Sequence, residues 1–177
     1  MKKISLMLMA ITFAITANAQ YYVGSSSSSA NYNGSRTTTH RNQYGITTGS
    51  SLSSTDHYGN TNTSHKDYYG ITMGTSTTST DCFGNTTTTH RNRYGITTGV
   101  AKSSTDYYGN TTTTYTDAYG RTIGSSTSSN DYLGNIKTTY RNSYGVATGS
   151  STSSYDGYGG YNSQHYSTDP DTEIWVW

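Results

Sequence analysis

Asp106-Tyr107-Tyr108-Gly109-Asn110-Thr111-Thr112-Thr113-Thr114-Tyr115-Thr116-Asp117-Ala118-Tyr119-Gly120 holds two copies of one turn phrase, Asp/Asn-x-Tyr-Gly, on either side of a Thr-rich run. The phrase recurs with its glycines at Gly34, Gly45, Gly59, Gly70, Gly84, Gly95, Gly109, Gly120, Gly134, Gly145 and Gly159. The gaps alternate between 11 and 14 residues without a slip, which makes a 25-residue repeat with two turns in each unit. Five full units start at Asn31, Asp56, Asp81, Asp106 and Asp131, and a partial one starts at Asp156.

The phrase has a readable chemistry. Asp or Asn at the first position of a type I turn accepts hydrogen bonds from backbone N–H groups further along the turn. Gly at the fourth position takes the left-handed conformation that closes a hairpin with a bulge. Between the turns lie runs of about 7 and about 10 residues, rich in Thr, Tyr, Ile and Ser. No run has helical periodicity. The fold class is therefore all-β: tandem 25-residue repeats, each with two strands and two Asx-x-x-Gly turns.

Alternation sorts the faces. In the short strands Thr61, Thr63 and His65 share a face, as do Thr86, Thr88 and His90. In the long strands Ile46, Thr48, Ser50 and Leu52 lie together, opposite a face of Thr, Ser and Gly with Gly49, Gly74, Gly99, Gly124 and Gly149 at one fixed position. This pattern predicts a sheet with one weakly apolar face and one wet face. The fixed Gly marks a bend, a bulge or a close backbone approach. Two architectures satisfy the repeat: an antiparallel hairpin meander coiling on itself, and a β-solenoid with identical residues stacked rung on rung. A solenoid would stack Asp56, Asp81, Asp106, Asp131 and Asp156 at ~4.8 Å, half their spacing in a meander. Like charges near 4 Å repel by about 1 kcal/mol even in water, which favours the meander.

The ends differ from the repeats. Met1-Lys2-Lys3, the apolar run from Ile4 to Ala14 and Ala17-Asn18-Ala19 form the three parts of a secretory signal peptide over 1–19, of a bacterial kind. Export to the cell surface or outside the cell is the expectation, with no membrane span after cleavage, since the run is shorter than the ~20 residues a span needs. Residues 20–30 read as a Ser-rich linker, 31–166 as the β-repeat domain and 167–177 as an aromatic tail ending Trp175-Val176-Trp177. The tail reads as an edge cap or as a sorting signal.

Composition narrows the function. After the signal, 9 Lys and Arg face 10 Asp and Glu, so no basic stripe is present to neutralise phosphates and nucleic acid is not an expected partner. Cys82 stands alone and can form no internal disulfide. Large apolar residues other than Tyr are sparse, so a conventional hydrophobic core is doubtful.

At the level of motifs, Thr105-Asp106-Tyr107-Tyr108-Gly109-Asn110-Thr111, followed by Thr116-Asp117-Ala118-Tyr119-Gly120-Arg121-Thr122, resembles the YD-repeat (Rhs-type) pattern of secreted bacterial proteins. In that family Asp-x-x-Gly-Arg/Asn turns link short strands into a coiling β-sheet. The export signal and the five Ser/Asn/Gly/Tyr-rich repeats also resemble curli-type fibre subunits, with a departure: Gln43 and Gln164 are the only glutamines of the repeat region. Neither resemblance carries over a site residue. Both imply a structural role outside the cytoplasm.

Every carboxylate of the repeats sits in a turn, in near-identical surroundings, whereas acid/base catalysis needs carboxylates in differing ones. No enzyme activity, cofactor or metal is expected. His40, His65, His90 and His165 share one column with Tyr115 and Tyr140, which reads as an aromatic stack in preference to a metal ladder, because no carboxylate or Cys joins it. The candidate binding residues are the turn tyrosines Tyr44, Tyr58, Tyr69, Tyr94, Tyr108, Tyr119, Tyr144 and Tyr158, able to stack on sugar rings or a partner surface, or to fold back and stand in for a core. The expected function is a secreted structural or adhesive repeat protein of the bacterial cell surface or extracellular matrix, its partners being further copies of itself or surface glycans. The alternative is a carbohydrate- or surface-binding module using the Tyr-Gly turn tips. A third reading, an ice-binding Thr/Ser surface, lacks a fixed Thr-x-Thr column in every unit.

Overall fold

A computed structural model describes residues 20–157 and 160–169. The chain is an antiparallel meander that closes on itself as a twelve-stranded barrel, each strand pairing with its neighbours in sequence and the first with the last. Short strands are β2 (Arg36–Asn42), β4 (Thr61–Asp67), β6 (Thr86–Asn92), β8 (Thr111–Asp117), β10 (Ile136–Asn142) and β12 (Tyr161–Ser167). Long strands are β1 (Tyr21–Ala30), β3 (Thr47–Thr55), β5 (Thr72–Thr80), β7 (Thr97–Thr105), β9 (Thr122–Asn130) and β11 (Ala147–Tyr155). A solenoid is not needed to explain the repeat.

The turn phrase behaves as its chemistry predicts. At Asp106 the backbone carbonyl accepts from Gly109 N at 3.1 Å and the backbone N–H donates to Asn110 O at 2.9 Å, closing a type I turn with a bulge. The side chain completes it: Oδ1 accepts from Tyr108 N at 2.9 Å and Asn110 N at 2.8 Å, while Oδ2 accepts from Asn110 Nδ2 at 2.9 Å. Gly109 has φ +84°, a region that penalises any Cβ, and the other described turn glycines, from Gly34 to Gly145, match it.

Within the stretch expected to be a linker, Tyr21–Ala30 is a strand. Ser25 to Ser28 pair with Gln164 to Tyr161 on one side, and Gly24 to Ala30 pair with Asn42 to Arg36 on the other. β1 thus plays the part of a sixth long strand and closes the barrel, which removes the open edges a twelve-stranded sheet would expose. Residues 1–19, and 170–177 of the tail, lie outside the described residues.

The fixed strand glycine is a close-approach position beside a bulge. A Cβ on Gly99 would lie 2.6 Å from the Thr116 carbonyl oxygen, and one on Gly124 would lie 2.6 Å from that of Arg141. The register slips next to each of these glycines, as between Tyr115 and Thr116 opposite β9. Bulges of this kind sharpen twist and help a sheet curl shut.

The inward face is the polar one. Gly49 and Ser51 are buried, whereas Leu52 between them and the turn is 45% exposed and Lys66 is exposed. Leu52 and Lys102 therefore look outward and Arg91 and Arg141 are exposed, while Met73 and Ile123, beside the bulges, line a pocket. Among the described residues the only buried hydrophobic side chain is that of Ala101. Hydroxyl pairs replace a core: Ser53–Thr63 at 2.8 Å, Thr78–Thr88 at 2.7 Å, Ser103–Thr113 at 2.8 Å and Ser128–Thr138 at 2.8 Å. Each such cross-strand pair adds roughly 0.2–1 kcal/mol to the backbone ladder.

Candidate functional site: two aromatic rims and a histidine–serine girdle

The turn tyrosines separate into two groups at opposite ends of the barrel. Alternate turns lie at alternate ends of an antiparallel meander, so Tyr58 and Tyr108 share one rim with Phe83 and Leu133. Tyr44, Tyr69, Tyr94, Tyr119 and Tyr144 share the other rim, where β12 ends and β1 begins. Tyr158 lies outside the described residues. None of the described seven folds back over the strands: the least exposed, Tyr94, is 71% exposed, and Tyr144 reaches 90%.

Each rim has company that the turn phrase alone did not reveal. On the first, Tyr32, Tyr107 and Tyr132 are also almost fully exposed, and the rings of Tyr107 and Tyr108 meet edge to face at 5.7 Å. On the second, Ile46, Ile71, Ile96 and Val146 follow the turn glycines and are more than half exposed. Arg93 lies 4.9 Å from the Tyr94 ring centroid and donates to its hydroxyl at 2.8 Å. Arg121 lies over Tyr119 and pairs with Asp117 at 2.7 Å. Apolar surface is thus concentrated at the two ends, and Thr, Ser, Lys and Arg occupy much of the outer wall.

Inside, one side chain from every strand forms a girdle. The short strands supply His40, His65, His90, Tyr115, Tyr140 and His165, and the long strands supply Ser26, Ser51, Ser76, Ala101, Ser126 and Ser151, in paired register. The histidine column is brought together as its spacing implied, but serines bridge it: Ser51 and Ser76 each insert a hydroxyl between two histidine rings. Ser51 Oγ is shared between His40 Nε2 at 3.0 Å and His65 Nδ1 at 2.9 Å. Ser76 Oγ is shared between His65 Nε2 at 2.7 Å and His90 Nδ1 at 2.8 Å. Ser26 meets His165 Nε2 at 3.2 Å across the closing seam, and Tyr115 and Tyr140 reach Ser126 and Ser151 at 3.0 and 3.2 Å.

Burial lowers the pKa of all four girdle histidines below the ordinary 6.5; the positive charges that His90 and His40 would carry lower that of His65 further, and His40 acts likewise on His165. Burial raises the Tyr140 hydroxyl. The four histidines are consequently mostly neutral at pH 7. Asp56, Asp81, Asp106, Asp117 and Asp131 move down for another reason: at Asp106 the Asn110 side chain and then its backbone N–H hold the ionised form. Among the described residues no group of three His, Cys, Asp or Glu side chains could hold a metal ion. No helix there is long and apolar enough to cross a membrane.

The serine column escaped the sequence reading, although a signal for it was present. Gly24 and Ser26 stand one period before Gly49 and Ser51, so the repeat extends upstream of its first turn phrase. Compared with protein-family models, with curated proteins and with solved structures, the chain has no match in any of the three.

Proposed function

We propose that this is an exported, non-catalytic structural or adhesive protein of a bacterial cell surface or extracellular matrix, which holds its target through the aromatic rims. The observation that carries this reading is the exposure of Tyr44, Tyr69, Tyr94, Tyr119 and Tyr144 on a single rim. Tyrosine joins an apolar ring to a polar tip and so suits wet, heterogeneous surfaces. Clustered exposed apolar side chains mark interaction sites in soluble proteins. Closure of the sheet favours end-on adhesion over growth by strand addition, because β1 and β12 satisfy each other's edges. The five aspartates of the first-rim turns from Asp56 to Asp156 each accept backbone N–H bonds, which leaves them a structural role.

Surface glycans are the partner class favoured by the same exposed rings, since the flat face of a sugar stacks on tyrosine. The test replaces all five second-rim tyrosines by Ala in the mature chain, with a separate variant carrying Tyr58→Ala, Phe83→Ala and Tyr108→Ala. Adsorption to coated quartz-crystal sensors and co-sedimentation with insoluble polysaccharides are then compared. Retention should fall sharply while the circular dichroism of the barrel is kept. Undiminished retention by both stripped, folded variants would sink the proposal. Loss on polysaccharide alone, with adsorption elsewhere intact, would identify glycans as the target.

A further inference from the structure

One long strand brings no hydroxyl to the girdle, and the ring beside that gap, His90, lines a cavity. Five of the six long strands place Ser in the girdle; β7 places Ala101. The hydrogen-bonded series His40–Ser51–His65–Ser76–His90 therefore stops at His90. Its Nδ1 bonds Ser76, but opposite its Nε2, where the other repeats supply a hydroxyl, there is a methyl group. Among the described residues none is hydrogen-bonded to His90 Nε2.

A cavity of about 640 Å³ opens beside this gap, lined by His65, His90, Tyr115, Tyr140, Met73 and Ile123 among others. That volume lies within the range of small-molecule sites. The lining gathers the departures from the repeat. Met73 and Ile123 stand where other units carry Thr48, Thr98 and Thr148, and Tyr115 and Tyr140 stand where others carry His. These substitutions fall on β5, β8, β9 and β10, on either side of Ala101 on β7. The repeat has thus lost polarity on this side of the lumen, around His90 Nε2.

We propose that this cavity is a binding site for an uncharged ring compound bearing a hydroxyl, a phenol or aromatic alcohol, whose hydroxyl bonds His90 Nε2. The ring of the ligand rests among Tyr115, Tyr140, Met73 and Ile123. The hydroxyl suits the end of the series for a specific reason. A neutral imidazole donates from one nitrogen and accepts at the other, and a serine hydroxyl does both. The five groups can therefore all donate in one direction or all in the other, presenting Nε2 as acceptor or as donor. A ligand hydroxyl answers either state, and each bond in such a chain polarises the next. Arg91 and Arg141 are the charged residues of the lining and no Asp or Glu joins them, so nothing there selects a cation.

The probe is 2-naphthol, with 2-methoxynaphthalene as the capped control, titrated into the mature protein at pH 8. Naphthol fluorescence and the ¹⁵N signals of labelled histidine are followed together. Saturable one-to-one binding is expected, with the His90 Nε2 resonance moving most and the methoxy compound binding at least about threefold more weakly, the value of one net hydrogen bond. Ala101→Ser supplies the missing hydroxyl, so its melting temperature should hold or rise while naphthol affinity falls about threefold or more. His90→Phe should weaken binding similarly. If His90→Phe fails to fold, Ala101→Ser decides alone, because Ser occupies this position in five other strands. Absence of saturable binding, or wild-type affinity in Ala101→Ser, overturns the proposal.

Discussion

Gly124→Ala adds one methyl group to the wall of the barrel, and the structure says where it goes. The new Cβ would lie 2.6 Å from the carbonyl oxygen of Arg141 on the neighbouring strand. Close carbon–oxygen contacts in sheets settle at ~3.3 Å or more, so roughly 0.7 Å must be absorbed by backbone that is paired on both sides. Overpacking of this order costs about 1–3 kcal/mol. In a domain of this length each kcal/mol lowers the melting temperature by ~2–4 °C, which predicts a loss between ~2 and ~12 °C. Gly120→Ala is the matched control: open space surrounds its Cβ, and its cost comes from φ +79°. The two glycines are separated by asparagine, which tolerates the left-handed region: Gly120→Asn should recover part of the loss, whereas Gly124→Asn should be worse than Gly124→Ala. Thermal melts by far-ultraviolet circular dichroism measure all four. A Gly124→Asn protein as stable as Gly120→Asn would refute the close-approach reading.

Two further outcomes follow from the girdle and the turns. The folded pKa values of His40, His65, His90 and His165 lie below 6.5, so below about pH 6.5 the unfolded chain binds more protons than the barrel does. Their contribution to stability is complete above that pH and is lost as pH falls through the lowered folded values; urea midpoints from pH 8 to 5 should drop, and a flat profile would contradict a buried girdle. Asp56, Asp81, Asp106 and Asp131 add a second loss at more acid pH, below the ordinary carboxylate value of 3.8, because their folded pKa values are also lowered. Asp106→Ala removes the acceptor of Tyr108 N and Asn110 N, so hydrogen exchange at those two amides should accelerate while the amides of Thr86 to Asn92 stay protected; Asp106→Asn, which keeps an oxygen, should accelerate them less.

The period, the strand lengths and the turn chemistry were legible because each is local. Asp106 needs only Tyr108 to Asn110 to close its turn, and Gly109 declares its φ by being Gly in that phrase. Two features were not local. Period-2 alternation separates Leu52 from Ser51 but does not say which face is enclosed, and the usual rule that apolar residues go inward points the wrong way here. Closure depends on curvature summed over every strand. The Ser-rich stretch from Ser25 to Ser29 carries no turn phrase before it, so only Gly24, one period before Gly49, marked it as a strand. The candidate tyrosines were found by type and spacing, but their division into two rims follows from the antiparallel order. The girdle's serines, among the commonest residues in the chain, had nothing but their column to distinguish them.

The closed barrel stands or falls on the seam between β1 and β12. Ser27 and Asn162 are direct cross-strand partners there. Spin labels attached to Ser27→Cys and Asn162→Cys, with Cys82→Ser, report their separation by pulsed electron resonance. Closure predicts a distance set by the label tethers alone, since paired Cα atoms lie ~5 Å apart. A sheet of the same twelve strands left open would hold them about 50 Å apart, eleven inter-strand steps of ~4.8 Å, and that distance would contradict the barrel.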